Sequence, residues 1–196
     1  MRDDEFPLIE TERLLLTLPP PDAAPQMLRY FEDNREHLAP WSPHTPVDFY
    51  TEDYWRKRLE VARESFEQDR SLQLVISGRE QPSGRVVGVC NFSAFIRGPF
   101  QACYLGYSID HREEGRGLMR EALSAAIKYA FDELRLHRIM ANYIPTNERS
   151  GRLLQRLGFT VEGYARDYLL IAGHWRDHVL TSLTNTQLKP EDVARG

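Results

Sequence analysis

A turn rich in arginine and glycine carries the residue types best suited to chemistry in this chain. It reads Arg112-Glu113-Glu114-Gly115-Arg116-Gly117 and lies between a strand-like run and a strongly helical one. The first N–H groups of a helix have no intrahelical partner and carry partial positive charge, so an anion can bind there. Gly115 and Gly117 allow positive φ and close approach of the backbone, while Arg112 and Arg116 offer charge-assisted donors. The turn is predicted to bind a diphosphate.

Two better-known phosphate motifs are excluded by the spacing of this turn. No Gly-Lys-Ser/Thr follows it, as a Walker loop requires, and it lacks the third glycine and downstream acid of a dinucleotide fingerprint. An ordinary strand-to-helix turn remains the alternative.

A second candidate pair follows about thirty residues later. A strand is predicted from His137 to Tyr143 and a short helix from Glu148 to Leu157, which Gly158 ends. Asn147 and Ser150 are three residues apart, so both can face one point at the start of this helix. The alternative is that Asn147 is a simple N-cap and Ser150 a tolerated first-turn residue.

The elements around these residues alternate between strand and helix. Apolar residues recur every three or four positions from Leu118 to Leu134, which predicts one buried helix face. Aromatic and β-branched residues predict a strand over Gln101 to Ile109. The other predicted strands are 13–18, 72–77, 85–95, 159–170 and 175–183, with helices at 23–34 and 51–68 and turns at Pro82-Ser83-Gly84, Arg97-Gly98-Pro99 and Ala172-Gly173. This order predicts a mixed α/β sheet.

The arrangement resembles the acetyl-CoA-binding half of the GNAT acetyltransferases. The second helix reads N-x-x-S-x-x-L-L-x-x-x-G-F from Asn147 to Phe159. Further strings resemble the RimJ/RimL branch, and longer ones its RimJ members. The branch strings are Thr11-Glu12-Arg13-Leu14, Leu38-Ala39-Pro40-Trp41 and Gly88-Val89-Cys90-Asn91-Phe92-Ser93; the longer ones are 102–109, 137–143, 162–171 and 175–180.

This resemblance covers residues 8–188 and implies a single GNAT domain there. The termini at 1–7 and 189–196 are expected from the sequence to be loosely held. The implied fold is a mixed, mostly antiparallel central sheet flanked by helices, with a splay at the acetyl-CoA site. The implied activity moves acetyl from acetyl-CoA to the α-amine of an N-terminal alanine, that of small-subunit ribosomal protein five. The implied partners are that N-terminus or the small ribosomal subunit.

The family's cofactor contacts fall on both candidate motifs. By resemblance the pantetheine arm contacts the strand end and Asn147, and the pyrophosphate contacts the turn and the helix start. The implied acetyl-CoA residues are Tyr107, Ser108, Ile109, Arg112, Gly115, Arg116, Gly117, Leu118, Met119, Asn147 and Ser150.

Ser150 is, by resemblance, the general acid for the leaving thiolate, with a tyrosine, Tyr143 or Tyr164, as the alternative. Asp167 is the first candidate for the general base and Glu162 the second; either can equally be a surface acid at a strand edge. The predicted acceptor-lining residues are Trp41, Phe92, Tyr143 and Tyr164, for which the alternative is a core or interface aromatic.

Composition and charge bear on which ligands and which cellular location are expected for the protein. With 25 basic and 29 acidic side chains the net charge is -4, so no broad basic surface for nucleic acid is indicated. A mildly acidic enzyme would suit a basic ribosomal tail, although an ordinary solvated surface explains the charge as well. Cys90 and Cys103 lie in apolar runs and are expected to be reduced core residues, with no metal. No membrane span is predicted, and a cytoplasmic location is expected.

Two other functions fit the same turn. One is a GNAT enzyme acting on a small amine, which would need a closed acidic pocket. The other is a non-catalytic acetyl-CoA-binding module, against which only Ser150 and the phosphate turn argue.

Overall fold

The computed structural model describes residues 6–81 and 84–193 as one eight-stranded sheet with helices on both faces. The strands are β1 (Leu8–Glu10), β2 (Leu14–Thr17), β3 (Leu72–Gly78), β4 (Val86–Ile96), β5 (Ala102–Ile109), β6 (Arg138–Met140), β7 (Thr160–Ile171) and β8 (His174–Thr184). The helices are α1 (Ala24–Asp33), α2 (Arg35–Leu38), α3 (Glu52–Glu67), α4 (Leu118–Asp132), α5 (Glu148–Arg156) and α6 (Pro190–Val193). Short 3-10 turns occupy Pro21–Ala23, Ala39–Trp41 and His111–Glu113.

The strands lie in the order β1-β2-β3-β4-β5-β6-β8-β7. All neighbouring strands are antiparallel except β5 and β6, which are parallel and joined through α4. A helical crossover of this kind is how parallel neighbours are connected. The predicted mixed, mostly antiparallel α/β sheet is confirmed.

The sheet opens between β5 and β6. These strands pair only through Ala102–Tyr104 of β5 and Arg138–Met140 of β6. The residues that follow β6 continue to pair with β8 and no longer pair with β5. The N–H of Tyr143 donates to the carbonyl of Val179 at 3.2 Å, while β5 continues to Ile109 beside β4. One edge of β5 therefore has main-chain groups with no strand partner among the described residues, and the predicted splay is confirmed.

Two apolar clusters cover the two faces of the sheet. Cys103 and Leu105 of β5 pack with Phe92 of β4 in the main core, against α4. On the opposite face Met27 and Trp55 belong to a smaller cluster with α1 and α3. Because side chains alternate along a strand, Tyr107 faces α4 and α5, whereas Ser108 faces α1. The Ser108 hydroxyl confirms this orientation by pairing with the hydroxyl of Tyr30 on α1 at 2.9 Å.

The predicted elements match the structure closely in the middle of the chain and less well elsewhere. Strand β1 and helix α2 were not predicted, and the strand expected over 137–143 shrinks to β6 because the later residues diverge from β5. Pro82 and Ser83 of one predicted turn, and residues 1–5 and 194–196, lie outside the described residues. The limits of the domain, 8–188, stay a prediction.

Two further expectations concern cysteines and membranes. Cys90 and Cys103 are free and buried, and burial raises the pKa of each thiol to about 12. They behave as core residues, as expected. Within 6–81 and 84–193, the structure contains no helix with the length and apolarity needed to cross a membrane.

Candidate active site

The phosphate turn has the backbone predicted for it. Gly115 and Gly117 adopt φ of 73° and 75°, a region that a residue with a Cβ enters at a cost. Gly117 is the N-cap of α4 and, having no side chain, makes no capping hydrogen bond of its own at this end of the helix. The N–H groups of the first turn of α4 are therefore left to a ligand, at the positive end of the helix dipole.

The two arginines of the turn are held by carboxylates. Arg112 donates to the fully buried Asp110 and, at 2.8 Å, to Asp33 of α1. Arg116 forms an ion pair with Glu113. Both guanidinium groups are thus paired within the protein; the Arg116 side chain is still 62% exposed, so it can contact an anion together with the backbone of the turn.

Asp110 holds the phosphate turn in place through hydrogen bonds and ion pairs. Its carboxylate accepts the N–H of Arg112 at 2.9 Å, capping the 3-10 turn, and also pairs with Arg85 at 2.7 Å. Burial alone would raise the pKa of Asp110, but the hydrogen bonds from Arg112 and the charge of Arg85 outweigh it and hold the pKa well below its usual range. The ionised carboxylate therefore stabilises the fold.

Replacing Asp110 with asparagine should destabilise the protein by about 2 kcal/mol, because the buried position loses its charged hydrogen bonds to Arg112 and Arg85, while both arginines keep a second carboxylate and partial contact with water. Urea unfolding at neutral pH would measure the change. Asp33→Asn is the matched control: it removes a partly exposed carboxylate from the same Arg112, and should cost less than about 1 kcal/mol.

The loss of unfolding free energy in Asp110→Asn should depend on pH, and the lowered pKa of Asp110 determines the direction of that dependence. A depressed pKa in the folded state adds stability above the unfolded-state pKa of about 3.9, and this contribution is lost as pH falls below it. The gap in unfolding free energy between the wild type and Asp110→Asn should narrow in acid. A gap that stays constant down to about pH 2.5 would contradict this role for Asp110.

Four predicted residues meet on the α4–α5 side of the splay, and we call them the hydroxyl cluster: Tyr107, Tyr143, Asn147 and Ser150. The hydroxyls of Tyr107 and Ser150 are 2.7 Å apart, and either can donate. The Asn147 side chain caps α5 by accepting the N–H of Ser150 at 3.2 Å. Tyr143 packs so closely on α5 that a Cβ on Gly151 would lie 2.8 Å from its ring.

The capping role of Asn147 uses only its side-chain oxygen. Its amide NH₂ has no partner among the described residues, so it can still donate to a ligand. Burial raises the pKa of Tyr107 to about 12, although the hydrogen bond with Ser150 opposes the shift and the nearby Tyr143 adds to it. The Tyr107 phenol is therefore protonated at neutral pH and has a proton to give.

A cavity of about 660 Å³, which we call the α1–α3 cavity, opens on the other face of the sheet. Its floor is formed by β3 and β4, and its walls include three packed aromatic rings. Phe31 stacks on Trp55 with centroids 4.5 Å apart, and Phe49 meets Trp55 edge-on at 5.0 Å. At the tip of the β7–β8 hairpin the N–H of Ala172 donates to the carbonyl of Ser42 at 3.0 Å, which joins the hairpin to the loop beside the cavity.

The predicted acceptor aromatics do not form one group. Trp41 is 39% exposed in its 3-10 turn and does not line the α1–α3 cavity, whereas Trp55 does. Phe92 is fully buried in the main core, so it packs against α4 and not against the cavity. Tyr164 is exposed and donates to Asp177 at 2.6 Å. Only Tyr143 lies in the hydroxyl cluster.

The two base candidates differ in their surroundings. Glu162 forms an ion pair with Arg138 and accepts the Ser182 hydroxyl, and the hydrogen bond from Arg138 lowers the pKa of its carboxyl. A carboxylate stabilised in this way is a weaker base. Asp167 is exposed in a bulge of β7 with a φ of 46°, and its N–H donates to Asp177 at 2.9 Å.

Sequence reasoning missed a polar group on the cavity side of the splay. Asn142 donates to the Tyr168 hydroxyl at 3.1 Å and accepts the N–H of Thr181, which joins the segment after β6 to β7 and β8 on one side of the opening. Tyr104 lies beside Tyr168; burial, then the hydrogen bond and charge of Tyr104, raise the pKa of Tyr168. The alternation of β5 was a usable signal, because Tyr104 and Tyr107 must face opposite sides of the sheet.

Comparison with known proteins identifies the family. The model of the acetyltransferase (GNAT) domain matches residues 13–160, which include the phosphate turn and the hydroxyl cluster. The chain belongs to the GNAT acetyltransferases. Over 182 residues it is 45% identical to the ribosomal protein uS5-alanine N-acetyltransferase of Escherichia coli (strain K12), covering 93% of each chain.

Solved structures of GNAT acetyltransferases show the same fold. The ribosomal-protein-S5-alanine acetyltransferase from Vibrio fischeri superposes with a TM-score of 0.88 at 38% identity, covering 94% of this chain and 100% of that one. Mycobacterium smegmatis RimJ in complex with CoA-disulfide gives a TM-score of 0.83 at 26% identity, with coverage of 97% and 91%. The predicted RimJ/RimL resemblance is confirmed. Among the described residues of this GNAT chain, no group of three or more His, Cys, Asp or Glu is arranged to hold a metal ion.

Proposed function

We propose that this protein transfers the acetyl group of acetyl-CoA to the α-amine of an N-terminal alanine, and that the acceptor is ribosomal protein uS5. The observation that carries the proposal is the hydroxyl pair of Tyr107 and Ser150 beside the unpaired edge of β5, in a chain 45% identical to an enzyme named for this reaction.

The residues present suit acetyl-CoA. The uncapped start of α4, with positive φ at Gly115 and Gly117, would receive the pyrophosphate through backbone N–H groups. The free edge of β5 would bond the pantetheine amides as a neighbouring strand does, and the Asn147 amide would add a donor. The residues proposed to contact acetyl-CoA are Tyr107, Ser108, Ile109, Asn147 and Ser150, and, at the turn, the main chain of Arg112, Gly115, Arg116, Gly117, Leu118 and Met119.

Acetyl-CoA supplies an acetyl thioester; the protein positions it and manages two protons. An N–H on the edge of β5 would polarise the thioester carbonyl, and the Ser150 hydroxyl, backed by Tyr107, would protonate the departing thiolate. The acceptor would approach from the α1–α3 cavity, because Asn91 of β4 in the cavity floor pairs with Gly106 of β5 beside the splay. Of the predicted acceptor-lining residues, we retain Tyr143 at the reacting end.

The requirement for a base is modest. An α-amine has a reference pKa of about 7.7 to 8.0, so a good part of it is neutral near pH 7.5. We retain Asp167 as the candidate base and give Glu162 the role of holding Arg138, because its carboxylate is already paired.

An alanine-first peptide from uS5 that also carries an internal lysine tests the proposal. Acetylation should favour the α-amine by about a hundredfold, because deprotonating lysine at pH 7.5 costs about 4 kcal/mol against well under 1 kcal/mol for the α-amine. Mass spectrometry after digestion would locate the acetyl group. Labelling of the lysine instead, or of polyamines alone, would refute the proposed acceptor.

The small-amine alternative gains no support from the cavity. A polyamine or aminoglycoside site needs carboxylates to pair with several ammonium groups. Among the described residues that line the α1–α3 cavity there is no aspartate or glutamate.

A further inference from the structure

The charge of the α1–α3 cavity is opposite to that of the protein. The chain as a whole has more acidic than basic side chains, 29 against 25. Yet the ionisable side chains along the described lining are two arginines, Arg35 and Arg58, together with His44, Tyr50 and Tyr54, and none of them is an acid. A surface of ordinary composition would mix both signs, so the cavity presents a local positive field.

Arg35 is positioned by an aromatic ring and has no carboxylate partner among the described residues. Its guanidinium lies 4.6 Å from the centroid of the Tyr50 ring, and Tyr50 also lines the cavity. Stacking of this kind fixes the plane of the guanidinium and leaves its N–H donors at the edge for a ligand. Within residues 6–81 and 84–193, Arg35 makes no ion pair.

In the described part of the chain Arg58 is unpaired, although its helix α3 contains an arginine that is paired. Two residues earlier on α3, Arg56 forms an ion pair with Glu52 at 2.7 Å. Arg58 has no such partner among the described residues and lies along the cavity with Leu59 and Trp55. The arginines of the phosphate turn contrast with both cavity arginines, because Arg112 and Arg116 are neutralised by acids.

We propose that Arg35 and Arg58 select acceptor N-termini that carry an aspartate or glutamate within their first few residues. The inference rests on the proposed function, since it requires the acceptor to enter through this cavity. A carboxylate there would meet two unneutralised guanidinium groups beside an aromatic wall that lowers the local dielectric. A lysine at the same place would meet repulsion. The expectation that an acidic enzyme prefers a basic tail therefore reverses at the site itself.

The expected size of the preference for an acidic residue follows from the small free energy that solvent-exposed ion pairs contribute. Exposed ion pairs contribute about 0.2 to 1 kcal/mol each, so two of them, together with repulsion of a lysine, amount to about a tenfold ratio in kcat/KM. Alanine-first peptides that differ only in glutamate, glutamine or lysine at positions 2 to 5 would measure it. We expect glutamate to exceed lysine by about tenfold at one or two of these positions, and the ratio to fall with added salt.

Substitutions of Arg35 and Arg58 test whether these two side chains cause the preference for glutamate. Arg35→Gln with Arg58→Gln should bring the glutamate-to-lysine ratio close to one while leaving the KM for acetyl-CoA unchanged. Arg58→Glu should reverse the ratio, an outcome that damage to the fold would not produce. Arg56→Gln is the matched control, because it removes a neighbouring arginine of α3 that is paired with Glu52 and does not line the cavity.

The outcomes separate this inference from the proposed function. Acetylation of α-amines with no preference for glutamate, or a preference that survives in both arginine variants, would overturn the inference and leave the activity standing. Failure to acetylate any α-amine, with acetyl-CoA bound, would refute the proposed function itself.

Discussion

Gly117→Glu should weaken acetyl-CoA binding by about a hundredfold or more. The new carboxylate would lie at the uncapped start of α4, where the pyrophosphate is proposed to bind, and two like charges about 4 Å apart repel by about 4 kcal/mol at the effective dielectric of a protein surface. Isothermal titration of the folded variant with acetyl-CoA would measure the loss.

Two controls separate charge from backbone strain. Gly98 has a φ of 69°, close to the 75° of Gly117, and lies between β4 and β5 with open space around it. Gly98→Glu should therefore carry a similar strain and bind acetyl-CoA normally. Gly117→Asn places a neutral residue that tolerates positive φ and should lose only a few fold. Unchanged affinity in Gly117→Glu would remove the phosphate role from this turn.

The phosphate turn was predictable because its determinants are local. A strand pattern, two glycines and a helical period lie within about thirty consecutive residues, and each acts on its own neighbours. The structure accordingly has Gly115 and Gly117 at positive φ and starts α4 at the predicted Leu118. Asn147 is likewise the cap that its position before a helix indicates.

The side-chain partners that come from distant parts of the chain were not predictable. Arg112 looked free for a phosphate, but Asp33 lies 79 residues earlier and only the fold brings α1 to the turn. Trp41 and Trp55 lie near one another in the sequence, yet only Trp55 faces the cavity, because α3 turns that side of the helix toward β3 and β4. The positive charge of the α1–α3 cavity was not predictable for the same reason, since the net charge of a chain does not indicate which charged side chains the fold brings together.

Ser150→Ala should lower turnover by about ten to a thousand fold while the affinity for acetyl-CoA changes by no more than a few fold. Alanine keeps the backbone N–H that Asn147 caps, so α5 should form as before and only the hydroxyl is lost. Turnover at saturating acetyl-CoA and peptide, compared with calorimetric affinity, separates chemistry from binding. Retention of full activity would pass the role of general acid to a tyrosine or to water.

The contact with Tyr107 allows a sharper test of that role. A proton given by Ser150 to the thiolate can be replaced from the Tyr107 phenol 2.7 Å away, whose pKa of about 12 is high enough to keep it protonated. If the two hydroxyls act as one unit, Tyr107→Phe should lower turnover by a factor comparable to that of Ser150→Ala. The double variant should then turn over little more slowly than the slower of the two single variants. When two groups act as one unit, removing either of them already abolishes their joint contribution.

The same pair of substitutions distinguishes the other mechanisms. Losses that multiply in the double variant would show that Tyr107 and Ser150 contribute independently, with Tyr107 shaping the site and Ser150 alone giving the proton. A Tyr107→Phe enzyme that turns over normally beside a damaged Ser150→Ala enzyme would reduce the phenol to a packing role. Tyr129→Phe serves as the control, because that ring packs against the main core from α4 and its hydroxyl has no hydrogen-bond partner among the described residues, so turnover should stay within a few fold.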